Sequence, residues 1–590
     1  MNILLGPKWR RYHYDNNRIK LLDEEGGKIS FSFDKGNFED LLSHLPTNWP
    51  PDLILLERPE YLTFPLGIEN SDYPVVAMVG DWNICFRVLQ DNLKRFDWIV
   101  VDQKGVNVFK EAGYQNVDYF PVYGFNPAVH RLLEGYDRIY DILMIGNFNH
   151  EFQRERAKWL RRLSRIKPKY NVRILSNIFG EEYVRNYNKA KIIFNRSIRG
   201  EMNERAYEAP ANGALLFYEE ENLEIRNFLI PGEECMLYNE SNFEELIEHY
   251  LTHEEERSRI AKAGNRKIQQ FSYESQLCHL IELLKSRHVF SNKKEYRVFS
   301  RLSESEQVYQ NAKLVLQEIS PNRLKIAEEM LNNVVKLDPH HYEARNALSM
   351  IYMLYVEQAQ NQSQISKDLF DQAMNSYIDI IDEIPDAALV HYNIACVCQA
   401  EEQYDLAEAE YKKALATTQN DEPLVVRDYF FPRDYVTFRI EWEKISALYC
   451  GDLQKQDKAL KGLLRWQCCF LLGGLCLIGR RVDEALAWYN QAVAARPDLA
   501  ARARLKIGEV LGALGRYDAA LEEFEKTLIL EPFNTDAWKA NAKLLNRAEK
   551  YKDCVEFFDE LFLLIERCPF YSQEKKWMVP LYEEAKRGLV

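Results

Sequence analysis

Residues 191–217 read KIIFNRSIRGEMNERAYEAPANGALLF. An apolar burst at 192–194 is followed by a polar loop, a helical pattern from about Asn203, and a second burst at 214–217. The order strand, loop, helix, glycine, strand makes one unit of a parallel sheet. Asn195, Arg196, Asn203, Arg205 and Glu208 then fall at the carboxyl end of the first strand and the start of the helix, and Gly213 falls just past the helix. Strand ends and helix N-termini in such sheets leave backbone donors facing one crevice, and an anion is the natural guest.

Working outward, the same grammar repeats. Residues 141–145 form another burst, ending in Gly146 and Asn147 and leading into an arginine-rich helix, EFQRERAKWLRRL. A glycine there lets phosphate approach the backbone while the helix N-terminus adds partial positive charge. Upstream, bursts at 3–5, 53–56, 75–79, 99–101 and 117–120 alternate with helical stretches, as in a doubly wound sheet. Asp81, at the end of one burst, is the preferred candidate for base chemistry, with Glu57 and His13 behind it. The plainer reading is that Asp81 caps the following helix.

The run of Asn203, Arg205, Glu208-Ala209 and then residues 213–216, Gly-Ala-Leu-Leu, resembles the donor signature of GT-B glycosyltransferases, in the bacterial CgeB-like branch related to the group 1 transferases. The resemblance implies two Rossmann-like domains facing a cleft. It also implies that Glu208 holds the ribose hydroxyls of a nucleotide sugar while Arg205 faces the diphosphate. A carboxylate can accept from vicinal hydroxyls, and a guanidinium forks onto phosphate. Many group 1 enzymes carry a second Glu eight residues earlier; here that position is Gly200, with Glu201 one step off. The alternative for Arg205 and Glu208 is a surface ion pair at the helix start. The family fold meets the leaving diphosphate with helix dipoles and basic side chains, so neither metal nor cofactor is expected.

The 590 residues carry a net charge of −14 and 46% hydrophobic residues. This argues for several folded domains and against a nucleic-acid partner. Eleven cysteines without a framework fit reduced thiols and a cytoplasmic location. The N-terminal residues are in the wrong order for a secretory signal, and no run approaches the roughly 18 apolar residues of a membrane span.

The C-terminal half repeats. Gly508, Tyr517, Ala520 and Phe524 recur 34 residues on as Ala542, Tyr551, Cys554 and Phe558. Similar sets stand at Gly473, Ala485 and Tyr489, at Ala395, Ala407 and Tyr411, and in weaker form at Leu348, Ala373 and Tyr377 and at Ala327 and Leu331. This resembles the tetratricopeptide family: small residues let paired helices approach, bulky ones fill the gap to the next pair, and the pairs stack into an α-solenoid with a concave face. An insertion at 416–462 contains RDYFFPRDYVTFRIEWEK, either a docking surface or an extra packed element.

The expected organisation is therefore α/β followed by all-α. It comprises an N-terminal Rossmann-like domain at 1–135, a nucleotide-sugar-binding domain at 136–285, a linker at 286–307 and a tetratricopeptide superhelix at 308–590. Glycosyl transfer to a protein side chain is the leading expectation, with Ser or Thr of a surface protein such as flagellin as acceptor, held by the array. Saccharide elongation, a scaffold with a degenerate head, and a peptide-binding module joined to an unrelated α/β enzyme are the alternatives. On this reading, removing residues 308–590 spares the donor site.

Overall fold

The computed structural model describes residues 1–589 except 8–18, 26, 34–35, 149–152, 318–321, 359–362 and 429–435. His13 and part of the aromatic insertion lie outside the described residues. The chain divides into two compact units: residues 1–122 with 282–480, and residues 123–281 with 481–590. Each unit combines one sheet with one stretch of the helical array.

The first unit holds a seven-stranded sheet in the order β2-β3-β1-β4-β5-β6-β7. Its strands are β1 (Ile3–Gly6), β2 (Ile19–Glu25), β3 (Lys28–Phe33), β4 (Leu53–Glu57), β5 (Val75–Val79), β6 (Trp98–Val101) and β7 (Val117–Tyr119). All pairings are parallel except β2 with β3. That hairpin is absent from the sequence reading, because the IKLLDEE of β2 offers no clean apolar burst. The central strands are buried on both faces, which is why they read as unbroken apolar runs.

In the second unit the order is β12-β11-β10-β8-β9, all parallel. The strands are β8 (Tyr140–Ile145), β9 (Val172–Leu175), β10 (Ala190–Phe194), β11 (Leu215–Glu219) and β12 (Met236–Tyr238). From β8 the chain winds outward to β9, then returns to place β10 on the other side. The switch point thus lies between β8 and β10, where such sheets open a ligand crevice. The Ala263-Gly264 pair sits inside a continuous helix, Glu254–Ile268, although a glycine there disfavours helix in sequence. Gly264 is there because a Cβ would stand 2.3 Å from the carbonyl of Glu234.

The tetratricopeptide pattern holds in three dimensions. Ala395 lies on Ala388–Ala400, paired with Tyr404–Thr417, and Gly508 lies on Ala501–Ala513, paired with Tyr517–Leu530. A Cβ on Gly508 would meet the Phe524 ring at 2.5 Å, the close crossing that the repeat spacing implies. The helices do not form a free-standing tail, however. In the second unit Phe558, Leu561 and Leu564 share one core with Ile142, Trp159 and Ile174 of the sheet layer. Arg567 donates to the carbonyls of Ser164 and Ile166 at 2.9 and 2.6 Å. In the first unit Leu314, Ala447 and Cys450 join the core of the seven-stranded sheet. Deleting 308–590 would therefore open both cores, contrary to expectation. Residues 286–307 also pack rather than span: Arg297 is buried against Asp97, and the Arg95 guanidinium lies 3.4 Å from the Phe299 ring centre.

Among the described residues one helix, Leu453–Ile478, is long and apolar enough to cross a membrane by length and composition. In sequence its apolar run is interrupted by Lys461 and Arg465. Of its apolar window 72% is buried inside the protein, and its buried polar residues include Gln456, Lys461 and Gln467. It serves as a core helix of the first unit.

Candidate anion site at the sheet switch point

Gly146 follows β8 and Asn195 follows β10, so the two flank the switch point of the five-stranded sheet. A Cβ on Gly146 would lie 3.6 Å from Arg205 Nη1 and 3.8 Å from Arg156 Nη1. Two guanidiniums therefore converge on the Gly146 backbone, with Met144 Cε also 2.9 Å from the same Cβ position. Arg205 stands in the first turn of Glu204–Ala211 and is aimed by Asn195, whose Oδ1 accepts from its Nε at 2.9 Å. Asn195 is in turn held by Asn203, its Nδ2 donating to Asn203 Oδ1 at 2.8 Å. Arg156 comes from the start of Arg154–Ser164 and is 3% exposed. It donates to the Arg196 carbonyl at 2.7 Å and to Gln153.

Among the described residues no carboxylate lies within ion-pair distance of Arg156 or Arg205, and Arg156 Nε is buried without a hydrogen-bond partner. Burial, reinforced by the Arg205 charge, pushes the Arg156 guanidinium down to about 9. Two like charges this close, one of them buried, cost free energy until an anion joins them, although Glu201 and Glu219 offset part of that cost at Arg156. Arg196 points elsewhere: its guanidinium pairs with Glu221 at 2.7 Å and lies 5.3 Å from the Trp159 ring centre. Asn147 is exposed next to Gly146.

Glu208 does not pair with Arg205. Its carboxyl accepts from Tyr183 OH at 2.6 Å and lies 3.1 Å from His130 Nε2. Burial, then the charge of Glu204, pushes it up to about 7. His130 is pushed down to about 4 by burial and is neutral at pH 7. The surface-ion-pair alternative is thus set aside. Glu201, the neighbour of the vacant second-Glu position, accepts from the backbone amides of Ile198 and Arg199 at 3.1 and 2.7 Å. Its carboxylate closes the loop after β10. Gly213 lies at the opposite end of the helix from Arg205, at φ 73°, where a Cβ would collide with Leu132 and Arg138. It ends the helix and is not brought to the cluster.

In the first unit Asp81 follows β5, one strand away from the β1/β4 switch point. Its side chain makes no helix-capping bond; Oδ2 accepts from Tyr61 OH at 2.8 Å. Glu60 Oε1 accepts from the amides of both Gly80 and Asp81 at 2.9 Å. Glu57 ends β4. Among the described residues no three His, Cys, Asp or Glu side chains gather as metal ligands.

A family model described as glycosyl transferase-like matches residues 128–282, the span that carries the whole arginine cluster. Residues 128–282 are a glycosyl transferase-like domain. Tetratricopeptide-repeat models match 388–421, 464–500 and 505–562. No curated protein matches the chain in sequence. Among solved structures, sucrose-phosphate synthase from Thermosynechococcus elongatus is 12% identical, over 48% of this chain and 88% of that one, with a TM-score of 0.35. HepE from Anabaena, solved with UDP and glucose, is 12% identical over 40% and 78%, with a TM-score of 0.33. The MamA protein is 15% identical over 39% and 94%, with a TM-score of 0.25. The glycosyl transferase-like domain thus owns Gly146, Arg156, Arg205 and Glu208, together with His130 and Tyr183. The last two and Arg156 escaped the sequence reading, although the arginine-rich helix was a signal for Arg156.

Proposed function

We propose that the glycosyl transferase-like domain binds a nucleotide-diphosphate sugar and that the chain transfers the sugar to a protein. The observation that carries this reading is the convergence of Arg156 and Arg205 on Gly146 at the switch point, Arg156 buried and neither guanidinium within ion-pair distance of a carboxylate among the described residues. A diphosphate supplies the missing negative charge and accepts forked hydrogen bonds. Glu208 takes the ribose hydroxyls, which replace Tyr183 and His130 as its partners. As the glycosidic bond breaks, the two guanidiniums stabilise the charge arriving on the leaving diphosphate, with no cofactor invoked. Asp81 is the proposed base for the acceptor hydroxyl, supported by its carboxylate and its strand-end position.

The tetratricopeptide repeats favour a protein acceptor, because such arrays bind extended polypeptide. A Ser or Thr of a surface protein such as flagellin, modified in the cytoplasm, is the specific form of the proposal. Calorimetry of the full chain with nucleoside diphosphates tests the donor site, and mass spectrometry after incubation with nucleotide sugars and candidate acceptors tests the transfer. Binding that weakens in Arg156→Met supports the site; no binding by any nucleoside diphosphate overturns it. Sugar appearing on saccharide and on no protein overturns the acceptor and keeps the donor.

A further inference from the structure

The helices Tyr342–Gln358 and Ala388–Ala400 are first helices of their pairs and are buried on nearly every side. In a stack of helix pairs the first helices normally leave one face open for a partner. Here that face is covered from within the chain. The main chain of Arg427 and Asp428 is held at four points by side chains. Glu343 accepts from the amides of Arg427 and Asp428 at 2.7 and 2.9 Å. Trp442 Nε1 donates to the Arg427 carbonyl at 3.0 Å. Asn346 Nδ2 donates to the Asp428 carbonyl at 2.6 Å and is itself steadied by Asn393 at 2.9 Å. The Arg427 side chain pairs with Asp457 at 2.9 Å, and Leu424 and Val426 are buried. Side chains thus take both amides and both carbonyls of Arg427 and Asp428, as the main chain of a bound peptide is held.

The grip continues into the sheet layer. Asp428 pairs with Lys313 at 2.9 Å and with the Arg87 guanidinium, and accepts from Tyr309 at 2.9 Å. Arg87 is the second residue of the helix Phe86–Asn92, which follows the turn bearing Asp81. The remaining main-chain groups of Arg87 are taken by the same helical array: its amide donates to Glu443 at 2.9 Å and its carbonyl accepts from Lys313 at 2.7 Å. On the other side of the turn, Glu60 holds the amides of Gly80 and Asp81.

We infer that residues 424–428 are a built-in peptide ligand of the repeats, and that through Arg87 the carboxylate of Asp428 is a positioning residue for the turn at 80–87. This part of the array braces the sheet, and the acceptor is bound elsewhere. The consequence for turnover rests on the proposed role of Asp81; the consequence for the turn does not.

Hydrogen exchange on the full-length chain separates the two. In Asp428→Asn, amides 82–92 exchange about tenfold faster while those of β5 keep their protection. Turnover falls about tenfold with donor KM unchanged, a split that general destabilisation would not produce. If Asp428→Asn does not fold, Glu443→Gln, which keeps the side-chain shape, is read in the same way. Unchanged exchange at 82–92 in a folded variant overturns the brace. Faster exchange there with unchanged turnover keeps the brace and removes Asp81 from the reaction. Crosslinking of an acceptor peptide to Asn346 or Asn393 would also overturn the inference.

Discussion

Arg156, buried, and Arg205, half-buried, bring two positive charges together, and the cost of that arrangement makes them sensitive reporters of the ligand. Replacing Arg156 with Met removes charge-assisted hydrogen bonds worth about 1.5–3 kcal/mol, so calorimetry should show nucleoside diphosphate affinity down by roughly 10–100-fold. The apo chain should lose little stability, since the change also relieves repulsion. Glu208 adds a pH dependence. Its carboxyl sits at about 7 in the free protein and must ionise to accept two ribose hydroxyls. Donor affinity should fall as pH drops below about 7, approaching tenfold per unit, and Glu208→Gln should flatten the profile. The placement of Arg205 and Glu208 on one helix was legible because their spacing is local. Arg156, His130 and Tyr183 were not, because they reach the same volume from other segments and only the folded sheet brings them together.

At the scale of elements, glycine marks the tightest contacts. A Cβ at Gly264 would stand 2.3 Å from the Glu234 carbonyl, where the helix Glu254–Ile268 crosses the segment before β12. Gly264→Ala should cost about 1–3 kcal/mol, read as a lowered unfolding midpoint with donor affinity unchanged. In sequence this glycine reads as a helix break, since propensity disfavours it mid-helix; the packing that overrides propensity is invisible locally. Strands buried on both faces were readable as apolar runs, whereas the β2–β3 hairpin was not, its residues being mixed in polarity.

Across the whole molecule, ionisation sets a stability trend. Burial pushes Glu60 and Glu443, like Glu208, from an ordinary 4.5 up to about 7. Each binds its proton more tightly folded than unfolded, so its contribution is complete below about 4.5 and is lost as pH rises through 7. Against the upward push of burial, Arg87 and Lys313 hold Asp428 low, an opposite effect confined to pH below the usual carboxylate range. Thermal midpoints should therefore fall between pH 5.5 and pH 8.5. Truncation gives a second test: a chain ending at residue 307 loses Phe558, Leu561 and Leu564 from the second-unit core and should show no cooperative unfolding transition. The repeat period was plain in sequence, but a solenoid helix facing solvent and one lying on a sheet carry the same small-and-large pattern. The intimacy of array and sheet was for that reason hidden.

Stacked helix pairs ordinarily lengthen or shorten over generations by duplication and loss of whole modules, because each pair touches only its neighbours. In this chain Tyr551–Arg567 rests on the layer of β9, and residues 424–428 run to the start of Phe86–Asn92. Inserting or excising a module upstream of either contact would slide those residues off their footing, so descendants of this gene are confined to altering the array one side chain at a time.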